Sequence, residues 1–423
     1  MGVVFVAGMF FSGMGQQPLT LEQCYKLAET NYPLGGQLPL MSESSSLKMA
    51  NHGKNYLPQI NVNGSVSYQS DVTKVDIELP KGLPSLAMPT LSKDWYKLTL
   101  DVNQAIYDGH VTSYQKRVEE YNLRADQKGV QAELYKLRER VNQLYFGILA
   151  IDQSIKLLET NVTRIEAKIK EVSSAVQNGA AIGMNLDLLK AELIRVKQQI
   201  NELGSDRATS CRMLGELIGT PVADDAGLIL PDVAEVSPVF QNLRPENQLF
   251  DIQRERLDVM KNMITTKWNP KVFAFGQAGY GRPGLNMLDD NFRPWYVVGA
   301  KMTWNPWNWN INKNEKKILS LQSDILRSQQ ETFDKNLRIN AQKDLGEITK
   351  IAGLLAQDRE IIDLRTSITR AASSQLDNGV ITSSDYIARL NEETQARLNL
   401  EIHKLQLVRA RVGYLYTTGL SSK

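Results

Sequence analysis

Cysteine and histidine are scarce in this chain: Cys24 and Cys211, with His52, His110 and His403, are all that 423 residues contain. So few and so scattered, they exclude a metal cluster and a disulfide framework, and leave room for one disulfide at most. Neither charge dominates, since 49 Lys and Arg stand against 47 Asp and Glu for a formal +2. The electrostatic footprint of a nucleic-acid binder is therefore missing. No window approaches the roughly 18 consecutive apolar residues of a membrane-spanning helix, and mean hydropathy is -0.31. Catalytic signatures are missing too: there is no Gly-Lys-Ser/Thr phosphate loop, no H-E-x-x-H and no nucleophile elbow. Gly279-Tyr280-Gly281-Arg282-Pro283-Gly284 matches G-x-G-x-x-G by letters, but Pro283 and the residues behind it open no helix, so it reads as a loop. The expectation is a protein that is not an enzyme and that takes no cofactor or metal.

What is present begins with an apolar run, Gly2 to Met14, of signal-peptide length,. Residues 1–15 read as a signal-peptide remnant, with Gly13 and Gly15 as the small residues before a cleavage at Gln16. The usual basic n-region is missing, because the first lysine is Lys26. A buried N-terminal strand is the alternative. Leu21-Glu22-Gln23 before Cys24 makes a poor lipoprotein site.

Self-comparison is more informative. Trp95-Tyr96 recurs as Trp295-Tyr296, Asn178-Gly179 as Asn378-Gly379, Glu192 as Glu392 and Gly219 as Gly419, all at an offset of 200. Upstream the offset is 212, pairing Pro33 with Pro245, Pro58 with Pro270 and Tyr68 with Tyr280. The chain reads as a duplication, with one segment between about Ser70 and Asp94 longer in the first copy. The expected organisation is a first repeat over 16–220, a linker over 221–237 and a second repeat over 238–423. Each copy is a helix, two strands, a very long helix, a tight turn and a return helix.

The long helix of the first copy carries apolar residues spaced alternately three and four apart, from Leu134 and Leu137 through Leu158, Ile165 and Val176. That is a sustained heptad with one narrow seam. After Gln177-Asn178-Gly179 the spacing resumes at Leu186, Leu189, Leu193 and Val196, which predicts an antiparallel hairpin over about 110–218, Gly179 supplying the positive φ at the turn. The second hairpin, about 310–418, is looser, with Asp358 and Arg359 interrupting the seam. At 1.5 Å per residue, a helix from His110 to Gln177 reaches on the order of 100 Å, far more than a globular domain of this size needs.

The strands, about 58–69, 95–107, 270–281 and 295–305, alternate in polarity. Ile60, Val62, Val66 and Tyr68 oppose Asn61, Asn63, Ser65 and Ser67; Tyr96, Leu98 and Leu100 oppose Lys97, Thr99 and Asp101. Segments of about ten residues with this pattern suit a transmembrane β-barrel. Aromatics at the segment ends, Tyr68, Trp95, Tyr96, Trp295 and Tyr296 at one side and Trp304 and Trp307 at the other, resemble interfacial girdles. Phe273 and Phe275 run against this pattern, since the repeat puts them on the polar face. A soluble sandwich with one wet face is the competing reading. Four strands close no barrel, and open edges are not tolerated in lipid, so membrane strands here imply several chains sharing one barrel.

Taken together, the residues resemble the TolC family of outer-membrane efflux proteins. Leu19 to Cys24 followed by Asn31-Tyr32-Pro33 is similar to that family's opening helix, Tyr56-Leu57-Pro58 to its first strand entrance, and Ile106-Tyr107-Asp108-Gly109 to its strand-to-helix corner. The two hairpin turns and the Gly419-Leu420 ending fit as well, so the resemblance covers Leu19 to Leu420. It implies a mostly α fold with a membrane β-barrel, assembled as a homotrimer with a 12-strand barrel in the outer membrane and an α-helical barrel across the periplasm. It implies as partners outer-membrane lipid, a periplasmic adaptor (membrane fusion protein) and an inner-membrane pump of RND or ABC type. The function implied is a passive exit duct for efflux or type I secretion, gated by an iris at the helix tips, with Asn178, Gly179, Asn378 and Gly379 at the adaptor-docking ends. Six residues after Gly379, Asp385 matches one acidic position of the family's entrance, while Ala388 replaces the second. Asp385 equally reads as the N-cap of the return helix.

Two other classes compete. A periplasmic adaptor also carries helical hairpins and β structure, but resembles a single hairpin rather than a duplication. A coiled-coil scaffold explains the heptads but not four alternating strands with aromatic ends.

Overall fold

The computed structural model describes residues 18–73 and 91–420; the signal-peptide reading of residues 1–15 and most of the variable segment after Ser70 fall outside them. In chain order the elements are α1 (Leu21–Asn31), α2 (Gln37–Gly53), β1 (Gln59–Tyr68), β2 (Asp94–Tyr107), α3 (Val111–Gln177) and α4 (Gly183–Ile218). The second half follows with α5 (Pro245–Thr265), β3 (Lys271–Arg282), β4 (Arg293–Thr303), α6 (Ile311–Asp377) and α7 (Ser383–Thr418). The chain divides into two compact units, Met1–Leu38 with Lys128–Leu249 and Gln329–Lys423, and Pro39–Gln127 with Phe250–Ser328. Each unit draws on both halves of the sequence.

The second unit holds the sheet. Its four strands are antiparallel in the order β1-β2-β3-β4. Asn61 pairs with Asp101, Asp101 with Gln277 and Gln277 with Val297, which fixes one row across the sheet. The step from β2 into α3 is made by Asp108. Its carboxylate accepts from the amides of His110 at 3.0 Å and Thr112 at 2.7 Å, and from the Tyr56 hydroxyl at 2.7 Å. This supplies acceptors for helix-start N–H groups that otherwise have none. Burial pushes the Asp108 carboxyl up, yet these hydrogen bonds hold it below the ordinary range. Gly109 and His110 both take positive φ at this corner. In the second copy the equivalent residues are Trp309 and Asn310, at φ 53° and 64°, so a tryptophan occupies a left-handed conformation that suits glycine. Leu257 and Ile264 of α5 bury against Leu319 of α6 in this unit.

The first unit holds the two hairpins. α1 starts with a capping box, the Gln23 amide donating to the Thr20 hydroxyl and the Thr20 amide to Gln23 Oε1,. It ends before Tyr32-Pro33, as the residue preceding proline disfavours helix. α4 ends at Gly219, φ 66°, where the Asn31 side chain donates to the Ile218 carbonyl at 2.9 Å. A Cβ at Gly219 would lie 2.6 Å from Asn31 Cβ, so this close approach requires glycine. Tyr145, fully buried in α3, places its hydroxyl 2.7 Å from the Leu19 carbonyl and 2.6 Å from that of Ile229, tying the start of the chain to the inter-repeat segment. Further along, Arg244 lies beside the stacked Tyr135 and Tyr416 rings, 5.0 and 4.9 Å from their centroids, and pairs with Glu246. The unit thus joins α3, α7 and the segment before α5 through charge and aromatic faces. Cys24 and Cys211 are buried free thiols.

Candidate functional site: sheet faces and hairpin tips

Cross-strand partners share a face, so the register divides the sheet cleanly. One face carries Ile60, Val62, Val66, Tyr68, Tyr96, Leu98, Leu100, Tyr296, Val298 and Met302, all exposed, with Val298 at 72% and Tyr68 at 74%. An apolar face this open is not a satisfied surface in water. The opposite face carries Asn61, Asn63, Thr99, Asp101, Asn103 and Gln277. There Asp101 accepts from Asn63 at 2.6 Å, from Thr99 at 3.0 Å and from Gln277.

The register also corrects the aromatic reading. Tyr68, Tyr96 and Tyr296 stand on the apolar face, but Trp95 and Trp295 stand on the polar one, so the seven residues do not form a pair of girdles on one surface. Strand alternation decides this, because neighbours in sequence point to opposite sides. Trp304 and Trp307 follow β4 and are exposed. Phe273 and Phe275 lie on the polar face, as the repeat indicates. β1 and β4 each pair on one side only, leaving two sheet edges open among the described residues.

At the other candidate site both turns have the same geometry. Gly179 and Gly379 take φ 73° and 71°. Gly179 N–H donates to Val176 and Ala180 N–H to Ala175; Gly379 and Val380 repeat this with Leu376 and Gln375. This is the Schellman arrangement that satisfies terminal helix carbonyls. Asn178 and Asn378 each donate a backbone N–H into the last turn of the helix before them, to Ser174 and Ser374.

Asp385 is not the N-cap. Thr382 is, its hydroxyl accepting from the Asp385 amide at 3.3 Å, while Asp385 stands three residues in and accepts from the Thr382 amide at 3.1 Å. The Thr382 hydroxyl and amide hold the Asp385 carboxyl below its ordinary range.

Polar ties join the two hairpins near these turns. The Ser383 amide donates to Asn185 Oδ1 at 3.1 Å, Asn391 to Glu192 at 2.9 Å and Lys168 to Asp377 at 2.9 Å. Burial pulls the Lys168 ammonium down, but Glu171 and Asp377 outweigh it and raise it. Glu393, 1% exposed, pairs with Arg164 at 2.9 Å and with Arg397 at 2.8 Å. Burial pushes its carboxyl up, but the two guanidiniums prevail and bring it to about 2. Around these ties an apolar core of Leu158, Ile165, Leu189, Val196, Leu376 and Leu390 closes the tips.

The residues missed in the sequence have a signal in it, namely the repeat. At the 200-residue offset, buried Ile165 becomes Arg365, Ile169 becomes Thr369 and Leu193 becomes Glu393. Leu158 and Leu203 become Asp358 and His403, whose Oδ2 and Nδ1 lie 2.5 Å apart. The second hairpin has exchanged part of its apolar seam for hydrogen bonds. Among the described residues no group of His, Cys, Asp and Glu could hold a metal ion, and no helix is long and apolar enough to cross a membrane.

With this geometry in place, residues 45–220 match the family model described as outer membrane efflux protein. Solved structures share the fold. The outer membrane protein VceC from Vibrio cholerae is 11% identical with a TM-score of 0.66, covering 95% of this chain and 97% of that one. The Campylobacter jejuni CmeC outer membrane channel is 14% identical with a TM-score of 0.61, covering 99% of this chain and 94% of that one. The open state of the Neisseria gonorrhoeae MtrE outer membrane channel is 15% identical with a TM-score of 0.62, covering 94% and 88%. At these identities the likeness is one of fold. No curated protein sequence matches the chain.

Proposed function

We propose, for a chain whose residues 45–220 match the outer membrane efflux protein family and which has the fold of solved outer membrane channels, that it is the exit duct of a tripartite efflux or type I secretion system. The carrying observation is the sheet: four strands, one exposed apolar face, one polar face and two unpaired edges. Unpaired backbone is costly in lipid, so copies of the chain join β4 to β1 and close a common barrel. Three copies give twelve strands. The apolar face then meets outer-membrane lipid, and the polar face lines the passage.

In this reading the chain is two repeats, 16–220 and 238–423, joined by 221–237. The long hairpins form the periplasmic extension, and the turns at Asn178-Gly179 and Asn378-Gly379 receive a periplasmic adaptor and, through it, an inner-membrane pump of RND or ABC type. Closure is an iris: the ties from Lys168, Arg164 and Asn185 hold the second hairpin against the first, and partner binding favours the state without them. Conduction is passive, since no catalytic group is required.

Membrane fractionation followed by heat-modifiable oligomer analysis and planar-bilayer recording tests the reading. The expected result is an outer-membrane oligomer that dissociates on heating to a monomer band below the 47.6 kDa of the full sequence, residues 1–15 having been removed, and conducts ions. A soluble monomer without conductance overturns it.

A further inference from the structure

The polar sheet face is less polar than a plain water passage requires. Phe275 pairs directly with Gly299, and Trp295 directly with Gly279. A Cβ at Gly299 would meet the Phe275 ring at 2.9 Å, and one at Gly279 would meet the Trp295 indole at 2.3 Å. Each ring therefore lies across the neighbouring strand on a glycine bed, one from β3 toward β4 and the other from β4 toward β3. Glycine in a strand interior weakens the strand, and a covering ring offsets that. The covering role explains why the rings lie flat. It does not explain why they occupy this face, since the apolar side already carries the sheet's other large side chains. Phe273 lies two residues from Phe275 on the same face, directly opposite Lys301.

Positive charge is in excess on this face. Lys97, Lys271 and Lys301 lie on it, as the register pairs Lys97 with Gly281, Lys271 with Thr303 and Lys301 with Phe273. Arg293 is there as well, but Asp289 neutralises it at 3.0 Å. The one strand carboxylate on this face is Asp101, which keeps its negative charge among three neutral donors and leaves the lysines in excess. Lys97 lies 5.3 Å from the Trp95 ring, which puts a cation beside a further aromatic surface.

Resting on the duct reading above, we propose that this face is an aromatic and cationic rail that favours planar aromatic anions among the solutes leaving through the barrel. The flat rings offer stacking surfaces to a planar solute, and the lysines attract its anionic group. Closure of the barrel by further copies repeats the rail once per chain.

The test records the full-length protein in planar bilayers at about 0.1 M KCl, where a Debye length of ~10 Å leaves such charges effective. Naphthalenesulfonate is the probe, with cyclohexanesulfonate and naphthyltrimethylammonium as the non-aromatic and cationic comparisons. Naphthalenesulfonate is expected to reduce the current at a concentration roughly tenfold below either comparison, the gap that ~1.4 kcal/mol of preference produces. Phe275→Leu should weaken the preference over cyclohexanesulfonate, and the exposed-site change Lys301→Gln the preference over the cation. Equal block by all three probes, or a preference that survives both substitutions, overturns the rail and leaves the duct standing. A protein that conducts nothing overturns the duct reading, and the rail with it.

Discussion

The carboxylate of Glu393 lies 2.9 Å from the guanidinium of Arg164, and this ion pair joins the second hairpin to the first. The position of Glu393 belongs to leucine in the first copy, where Leu193 packs against the apolar core of the tips. Arg164→Ala leaves a buried carboxylate with Arg397 and the Thr366 hydroxyl. Loss of one partner from a buried pair is strongly destabilising, but Arg164 is 35% exposed, so a cost of about 1–2 kcal/mol is expected. The variant should conduct more at rest than the parent. Arg164→Ala combined with Glu393→Leu removes the stranded charge and should conduct less than the single variant. Resting conductance unchanged in Arg164→Ala would detach the pair from closure.

The same carboxylate sets a pH dependence. Its folded value, about 2, lies below the ordinary 4.5, so its contribution is complete above the ordinary value and is lost as pH falls from there through about 2. Acid should therefore loosen the tips, read as rising conductance between those limits. Glu393→Gln has no such titration and should flatten that part of the profile. An identical profile in both proteins assigns the acid response to other groups.

Much of this arrangement was legible in the sequence, for reasons that differ by residue. Gly179 and Gly379 were readable because a turn after a long heptad needs a left-handed residue, and the heptad itself reports a narrow seam. The two strand faces were readable because alternation is geometric: Val62 and Asn63 cannot share a side. Trp95 and Trp295 stand at strand ends like the tyrosines beside them, but odd parity turns them to the polar face,. The capping role of Thr382 was not legible, because Thr382, Ser383, Ser384 and Asp385 are all cap formers and residue type ranks Ser and Asp above Thr. The ties Lys168–Asp377 and Arg164–Glu393 join residues more than two hundred positions apart, which no local pattern can pair. The repeat does mark their neighbours, however, wherever an apolar seam residue of the first hairpin meets a polar one in the second.

Asp385 separates charge from capping. Asp385→Asn keeps an acceptor for the Thr382 amide and removes the charge, whereas Asp385→Ala removes both. The alanine change should loosen the first turn of α7, and the asparagine change should loosen it less. If the residue also lines the entrance, both variants should alter block by divalent cations added on the tip side. Altered block in Asp385→Ala but not in Asp385→Asn limits the residue to the capping box.

The Asp358–His403 pair gives the most direct test of what the polar seam is for. It occupies the place of Leu158 and Leu203, so the first hairpin supplies the apolar replacement ready-made. Replacing a buried hydrogen-bonded pair by packed apolar residues is often neutral or stabilising, by up to about 1–4 kcal/mol. Asp358→Leu with His403→Leu should accordingly raise the thermal dissociation temperature of the oligomer, while Asp358→Leu alone strands an imidazole and should lower it. The double variant should also be the harder to open, with resting conductance at or below that of the parent, because an apolar seam resists the water that enters when helices part. If the double variant is less stable than both single variants, the pair holds the second hairpin together more tightly than leucines do, and the polar seam is a clamp and not a release.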